Sequence, residues 1–266
     1  MTEGGIAAAK AYGLEWEEAS KQKLYNPLGM NSTSSRYTDF MASRNKALGH
    51  VLVDGKWVQK FKRDPDAQSP TGGVSSSVND LAKWMRLQLA NGKFDGKQIV
   101  NEKALAETHH PHMLTGFNPF TQMPTFYGLG WNVSYDQQGR LRLNHSGAFG
   151  LGAATYVNLA PNEQLGIVVP TNAYPIGLAE ALGTTFMDIA LYGKPTQDWF
   201  ALFKRVYSNP AAIGTVLGFD YSKPPVSPAP ASKSSAYLGR YTNDFFGQIS
   251  IIERDSGLAI VQGPNQ

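Results

Sequence analysis

The 266-residue chain contains no cysteine, which excludes disulfides, thiolate metal sites and a cysteine nucleophile. It also lacks an excess of charge: 24 Lys and Arg against 21 Asp and Glu leave a formal net charge of +3. The cations Lys21, Lys23, Lys60, Lys62, Arg63, Lys83 and Arg86 are scattered, with no run long enough to grip a phosphate backbone. Nucleic acid is therefore not expected as a partner. No stretch approaches the roughly 18 apolar residues of a membrane span. The opening Met1-Thr2-Glu3-Gly4-Gly5-Ile6-Ala7 has no basic region followed by an apolar one, so no signal peptide is read there. What remains is enough chain for one large domain plus part of another, with a real core.

The segment with the most chemical content is His145-Ser146-Gly147-Ala148. Leu141-Arg142-Leu143-Asn144 leads in as a strand and Gly152 to Leu159 leads out as another. Ala160-Pro161-Asn162-Glu163 turns the chain, and Gln164 to Thr171 returns. A small, glycine-flexed tetrapeptide at the inner edge of an antiparallel sheet lets a substrate backbone lie close and find exposed N–H and C=O groups.

Elsewhere the pattern predicts a helix over Gly5 to Tyr12 ended by Gly13, and a second over Trp16 to Leu24 stopped by Pro27-Leu28-Gly29-Met30. Residues 31–70 read as loops and short hairpins, with a turn at Asp54-Gly55. After Thr71-Gly72-Gly73, Ser77 and Asp80 are spaced as a capping box for a helix continuing through Leu81, Trp84, Met85, Gln88 and Leu89. Asn101 caps a shorter helix to Thr108, and Tyr127-Gly128-Leu129-Gly130-Trp131 begins the sheet-forming half. Helices are expected over Ile176 to Leu191 and Asp198 to Tyr207. From Ser222 to Ser235, four prolines among Ser, Ala and Lys read as a semi-rigid linker. Tyr237 to Tyr241 and Gly247 to Ile252 then alternate as strands, and so short a tail reads as a truncated second domain.

In order, Pro27-Leu28-Gly29-Met30, Thr71-Gly72-Gly73, Tyr127-Gly128-Leu129-Gly130-Trp131 and His145-Ser146-Gly147 resemble the β-lactamase-related serine hydrolases, over residues 1 to about 208. That family comprises class C β-lactamases, DD-peptidases, D-aminopeptidases and related esterases. The resemblance implies an α+β fold, an antiparallel sheet of β-lactamase/transpeptidase type with flanking helices, incomplete at the N-terminus. The tail resembles the first strands of a small lipocalin-like antiparallel β-barrel. Three domains are expected: 1–221 as the C-terminal portion of the hydrolase domain, 222–235 as linker, and 236–266 as the truncated β domain.

Such enzymes take nucleophile and base from Ser-x-x-Lys and a second proton-handling group from Tyr-x-Asn; Lys-Thr-Gly or His-x-Gly forms the opposite wall. Gly4-Gly5-Ile6-Ala7 falls a few residues after the second motif, which places the first two upstream of Met1. The chain is then expected to be about two-thirds of a catalytic domain, cut at both ends and inactive alone. The resemblance makes His145 and Ala148 the catalytic residues, with the Ala148 N–H in the oxyanion hole, a donor worth about 3 kcal/mol. Ser146 and Gly147 would contact the substrate. Histidine where β-lactamases carry lysine is a poorer anchor for a carboxylate, so an esterase or peptidase is expected rather than a β-lactamase. The substrate is a small ester, amide or peptide, no cofactor or metal is implied, and an intact parent would be periplasmic or secreted. A plainer reading makes His145 a hydrogen-bonded strand-end residue, and the alternative for the whole chain is a non-catalytic peptide- or glycan-binding homologue.

Several strings read as decoys. Ser20-Lys21-Gln22-Lys23 sits late in an amphipathic helix, on what is read as its solvated face, and Ser43-Arg44-Asn45-Lys46 lies in a polar stretch. Neither offers serine at a buried helix N-terminus. Tyr207-Ser208-Asn209 reads as a helix stop and Tyr241-Thr242-Asn243 as a strand end. No Gly-x-Ser-x-Gly is present, so an α/β-hydrolase elbow is excluded. His109, His110 and His112 straddle Pro111 and are read as a solvated helix C-terminus rather than as metal ligands. Trp57, Trp84, Trp131, Trp199 and Phe200 read as core or interface.

Overall fold

The computed structural model describes residues 1–118, 121–208, 227–244, 247–255 and 257–262. By contacts the chain divides into two units, residues 1–214 and 215–266.

The first unit is built on an antiparallel meander. Strands β5 (Met113–Phe117), β6 (Pro124–Tyr127), β7 (Asn132–Tyr135), β8 (Leu141–Phe149), β9 (Ala153–Ala160) and β10 (Leu165–Thr171) lie side by side in sequence order. Before them come α1 (Thr2–Ala11), α2 (Trp16–Ser20), α3 (Tyr37–Ala42), the hairpin β1 (Val51–Val53) and β2 (Lys56–Val58), and α4 (Ser69–Gly72). Then follow α5 (Val78–Leu89), the hairpin β3 (Lys93–Phe94) and β4 (Lys97–Gln98), and α6 (Glu102–His109). After the sheet come α7 (Leu178–Tyr192) and α8 (Trp199–Tyr207).

Cross-strand registers assign the two faces of the sheet. Phe126 opposes Val133, Val133 opposes Leu143, and Leu143 opposes Leu159. This apolar row, with Trp131, forms the main core and packs on Trp84, Met85 and Leu89 of α5. The next row is polar, Asn132 with Asn144 and Asn144 with Asn158. The face it shares with Tyr156 is covered by α7, where a Cβ on Gly183 would come within 2.4 Å of the Tyr156 ring. A second cluster, Tyr25, Leu28, Met30 and Leu87, lies on the other side of α5.

Local chemistry explains the boundaries. Asp54 and Gly55 both take positive φ (48° and 75°), as a two-residue hairpin turn requires. Ser77 caps α5 by accepting from the Asp80 N–H at 3.2 Å. The Asp80 carboxylate does not close the box: it accepts from the Ser32 N–H (2.7 Å), the Thr33 hydroxyl (3.0 Å) and Lys83 (3.0 Å). Burial pushes the Asp80 carboxyl up, but these donors together hold it below its ordinary value. Asn101 caps α6 as expected, accepting from Ala104 N–H at 3.1 Å.

Several expectations need correction. The helix from Trp16 does not run on as α-helix but widens into a π-turn over Lys21–Tyr25. Residues 31–70 include a true helix, α3, and strands β3, β4 and β5 are too short or irregular to carry a clear alternation. The His145 tetrapeptide is not a link between strands but the second half of one nine-residue strand.

In the second unit, β11 (Gly239–Asn243), β12 (Gly247–Arg254) and β13 (Gly257–Gln262) form a three-stranded antiparallel sheet, with no closed barrel among the described residues. A turn of 3-10 helix at Ser234–Ala236 occupies the end of the expected linker. Residues 222–226, Asn209 and Gly263 to Asn265 lie outside the described residues. No described helix is long and apolar enough to cross a membrane.

Candidate functional site

β8 is paired on both sides only in its first half. Residues 141–144 oppose β7 on one flank and, from Leu143 onward, β9 on the other, whereas among the described residues His145 to Phe149 pair with β9 alone. The strand therefore overhangs its neighbour by five residues and presents an open edge in the middle of the sheet. Along such an edge, alternate backbone N–H and C=O groups are free to pair with an extended ligand. Two features hold the strand there. At its start, Arg140 Nε donates to Asp136 at 2.7 Å and Tyr192 of α7 donates to the same carboxylate at 2.9 Å. At Gly147, a Cβ would come within 2.7 Å of Thr155 Oγ1, so the close β8–β9 approach is specific to glycine at that position.

Side chains alternate along the overhang. His145, Gly147 and Phe149 share the face of Leu143, and Ser146 and Ala148 share the other. The His145 Nδ1 lies 2.6 Å from the Ser146 carbonyl oxygen. A carbonyl only accepts, so Nδ1 carries the proton. In the neutral ring Nε2 is then the acceptor for the Tyr127 hydroxyl, 3.0 Å away. The rings meet edge to face, with centroids 6.0 Å apart. Both imidazole nitrogens are thus occupied, and Tyr127 is drawn to the open edge. Sequence reading passed over Tyr127, although it opens the aromatic-glycine signature. That signature has a packing reason: a Cβ on Gly128 would come within 2.6 Å of the Thr108 carbonyl at the end of α6.

Behind the overhang lies a buried polar group that periodicity alone did not reveal. Glu180 of α7, 3% exposed, accepts from the Tyr207 hydroxyl at 2.6 Å, and the Ser146 hydroxyl lies beside Tyr207. Burial, then the Glu180 carboxylate, push the Tyr207 phenol well above its ordinary value. Tyr156, opposite Ser146, accepts from Asn158 at 2.9 Å, and burial raises its phenol too. Ser146 therefore faces the helices, on the opposite side of the strand from His145. The four expected residues share one strand segment, but the side chains of His145 and Ser146 point to different environments.

The decoys resolve individually. Ser20 is 7% exposed, not on a solvated face as expected: its hydroxyl donates to the Glu17 carbonyl (3.0 Å) and meets Ser35 Oγ (3.1 Å). Lys23 instead sits over the Tyr12 ring, 4.6 Å from its centroid. Ser43 donates to the Asn45 carbonyl at 3.1 Å, and Lys46 binds the Met41 and Ser43 carbonyls. Neither serine is paired with its lysine as nucleophile and base. Tyr207 ends α8 and Tyr241 lies in β11.

Of the three histidines, His110 and His112 both face Glu107. His109 is not solvated: it packs edge-on against Trp131 and bonds Gln88 at 2.9 Å, and burial, with His110 nearby, lowers its pKa. No group of three or more His, Asp or Glu among the described residues could hold a metal ion. Trp131 is core, 6% exposed and stacked on Trp84.

Comparison with known proteins agrees with this architecture. The chain is 24% identical over 163 residues to Penicillin-binding protein 4 of Amycolatopsis lactamdurans, which covers 60% of this chain and 42% of that protein. It is 24% identical over 249 residues to Unguisins hydrolase ungD' of Aspergillus campestris, covering 87% and 44% respectively. The chain thus spans less than half the length of these two relatives. Among solved structures, the octameric penicillin-binding protein homologue from Pyrococcus abyssi shares the fold, with a TM-score of 0.60 at 20% identity over 96% of this chain and 49% of that one. Residues 4–190, well over half of the sequence and including the whole of the overhanging strand, match the family model described as Beta-lactamase, and the chain belongs to that family of serine hydrolases.

Proposed function

We propose that residues 145–148 form the substrate-holding wall of an acyl-transfer site acting on an ester or amide, with esterase or peptidase rather than β-lactamase specificity. The open edge of β8 carries this reading: a substrate backbone aligned along it would place its carbonyl at the Ala148 N–H, where a developing oxyanion is stabilised. His145, held by Tyr127 and by the Ser146 carbonyl, anchors the substrate at the edge, while Ser146 and the Gly147 backbone contact its chain. The wall requires a serine nucleophile with a proton-accepting partner, and neither Ser20 nor Ser43 is disposed for that work. In domain terms, residues 1–221 would be the hydrolase portion, 222–235 the linker and 236–266 the start of a separate lipocalin-like β module. The 24% identity to a hydrolase over 87% of the chain supports hydrolysis over simple binding.

The test is turnover of an activated ester and of a D-alanyl peptide by the 266-residue chain and by any longer natural product of its gene. The chain alone is expected to match the buffer blank. A longer product is expected to hydrolyse at least one of the two, with His145→Ala lowering kcat/KM on the order of a hundredfold through misplacement of the substrate. Saturable hydrolysis by the chain itself that vanishes in Ser20→Ala would contradict the assignment. The second reading, a non-catalytic peptide binder that uses the same edge, would be favoured by micromolar peptide binding with no covalent adduct in any longer product.

A further inference from the structure

β8 ends at Phe149, on the same face as His145 and two strand repeats away, a span of roughly 13 Å. Gly147 lies between them, and Thr155 of β9 fills the space that a side chain there would take, its Oγ1 2.7 Å from where a Cβ would stand. Phe149 lines a partly open cavity of about 290 Å³ together with Phe40, Met41, Leu48, Phe61 and Leu151. That is near the lower end of the roughly 300–1,000 Å³ of small-molecule pockets. Gly72 is also in the lining, and a Cβ there would come within 3.1 Å of the Phe149 ring, so the second glycine signature of the sequence lets the ring lie close.

The lining is mostly apolar but includes Tyr37, Gln59 and Ser75 and two cations, Lys62 and Arg63. Arg63 lies over the Phe149 ring, its guanidinium carbon 3.6 Å from the ring centroid. Burial depresses its pKa, and no ion pair engages it among the described residues. The nearest carboxylates in sequence are committed elsewhere. Asp64 accepts from the Asp66 N–H at 3.0 Å, and Asp66 accepts from the Tyr37 N–H at 2.8 Å. Lys62 lines the same cavity. A half-buried guanidinium stacked on an aromatic ring, with its N–H edges free of carboxylate, suits a carboxylate ligand that approaches in the guanidinium plane.

We propose that this cavity is a subsite for an apolar group ending in a carboxylate, with its body between Phe149 and Phe40 and its carboxylate on Arg63. This deepens the functional reading and rests on it in one respect: the group is taken to be the acyl side of the substrate, entering from a carbonyl held at Ala148, the residue next to Phe149. The substrate class is then an ester or amide whose acyl portion carries an apolar acid, and simple neutral acyl groups are poorer substrates.

Equilibrium binding to the 266-residue chain tests the subsite without any turnover. The probes are 3-phenylpropionate, its neutral amide and the corresponding amine, titrated against 15N-labelled protein. The carboxylate is expected to bind about tenfold more tightly than the amide, the amine more weakly than either, with shifts at Gly72, Gly73 and Phe149. Arg63→Met should equalise acid and amide while preserving amide binding, and Arg63→Lys should restore part of the preference. Equal affinity for acid and amide in the unaltered chain, binding of none of the probes, or an acid preference that survives Arg63→Met would each overturn the proposal. An acid preference in a family product that never hydrolyses esters or amides would sink the hydrolase reading and leave the subsite standing.

Discussion

The two halves of β8 are one strand with two occupations. Residues 141–144 belong to the sheet: Leu143 is fully buried between Val133 and Leu159, and its loss would be felt by the whole fold. Residues 145–149 have a strand neighbour on one side only among the described residues, and carry a histidine, a serine, a glycine, an alanine and a phenylalanine that lines a cavity. The sheet thus obtains rigidity and an accessible backbone from the same element, because β7 is short enough to stop at Asn132. A ligand edge placed on a flexible loop would need ordering on binding; this edge is already ordered by β9.

Substitutions can separate the halves. Leu143→Ala should cost about 3 kcal/mol of unfolding free energy, read by urea or thermal melts, with the ligand edge unaffected in the protein that remains folded. Next in size, Asp80→Asn should cost about 2 kcal/mol at neutral pH, by removing charged hydrogen bonds that tie α5 to the Ser32–Thr33 segment. Its pH dependence has a definite sign. The folded carboxyl titrates below its ordinary value of 3.8, so its contribution is complete above that value and is lost as pH falls through the lower folded value. Acid melts of Asp80→Asn should therefore be flatter than those of the parent below about pH 4. Gly147→Ala should cost about 1 to 2 kcal/mol through the clash with Thr155 and should weaken edge binding out of proportion to that loss. The smallest effect is Tyr127→Phe, about 1 kcal/mol or less, with the Nδ1–H tautomer of His145 retained in imidazole 15N shifts because the Ser146 carbonyl still accepts.

How much could be read beforehand follows the same division. Leu141 to Thr171 alternates cleanly and turns at Pro161-Asn162, so the central strands and the place of His145 were legible. Ser77 and Asn101 were legible as caps because capping depends on neighbours in sequence. The overhang was not, since it depends on where β7 stops relative to β8, a matter of register between strands. Tyr127, Glu180 and Tyr207 were missed for the same reason: each meets the site from 18 residues or more away along the chain. Ser20 was misplaced because a polar residue among Glu17, Glu18 and Lys21 reads as solvated, and only its contact with Ser35, itself bonded to Tyr25, shows otherwise. Phe149, one residue past the tetrapeptide, was not singled out, because its neighbour Arg63 comes from a loop 86 positions earlier.

The central claim is that the open half of β8 pairs with an extended ligand. Its most direct test is amide hydrogen exchange of the 15N-labelled chain with and without an N-acyl-D-alanyl peptide, residue by residue from Leu141 to Phe149. Added protection confined to alternate amides between His145 and Phe149, with Leu141 to Asn144 unchanged, is the predicted result. Protection that appears instead along β5 or β10, or nowhere in β8, would contradict it.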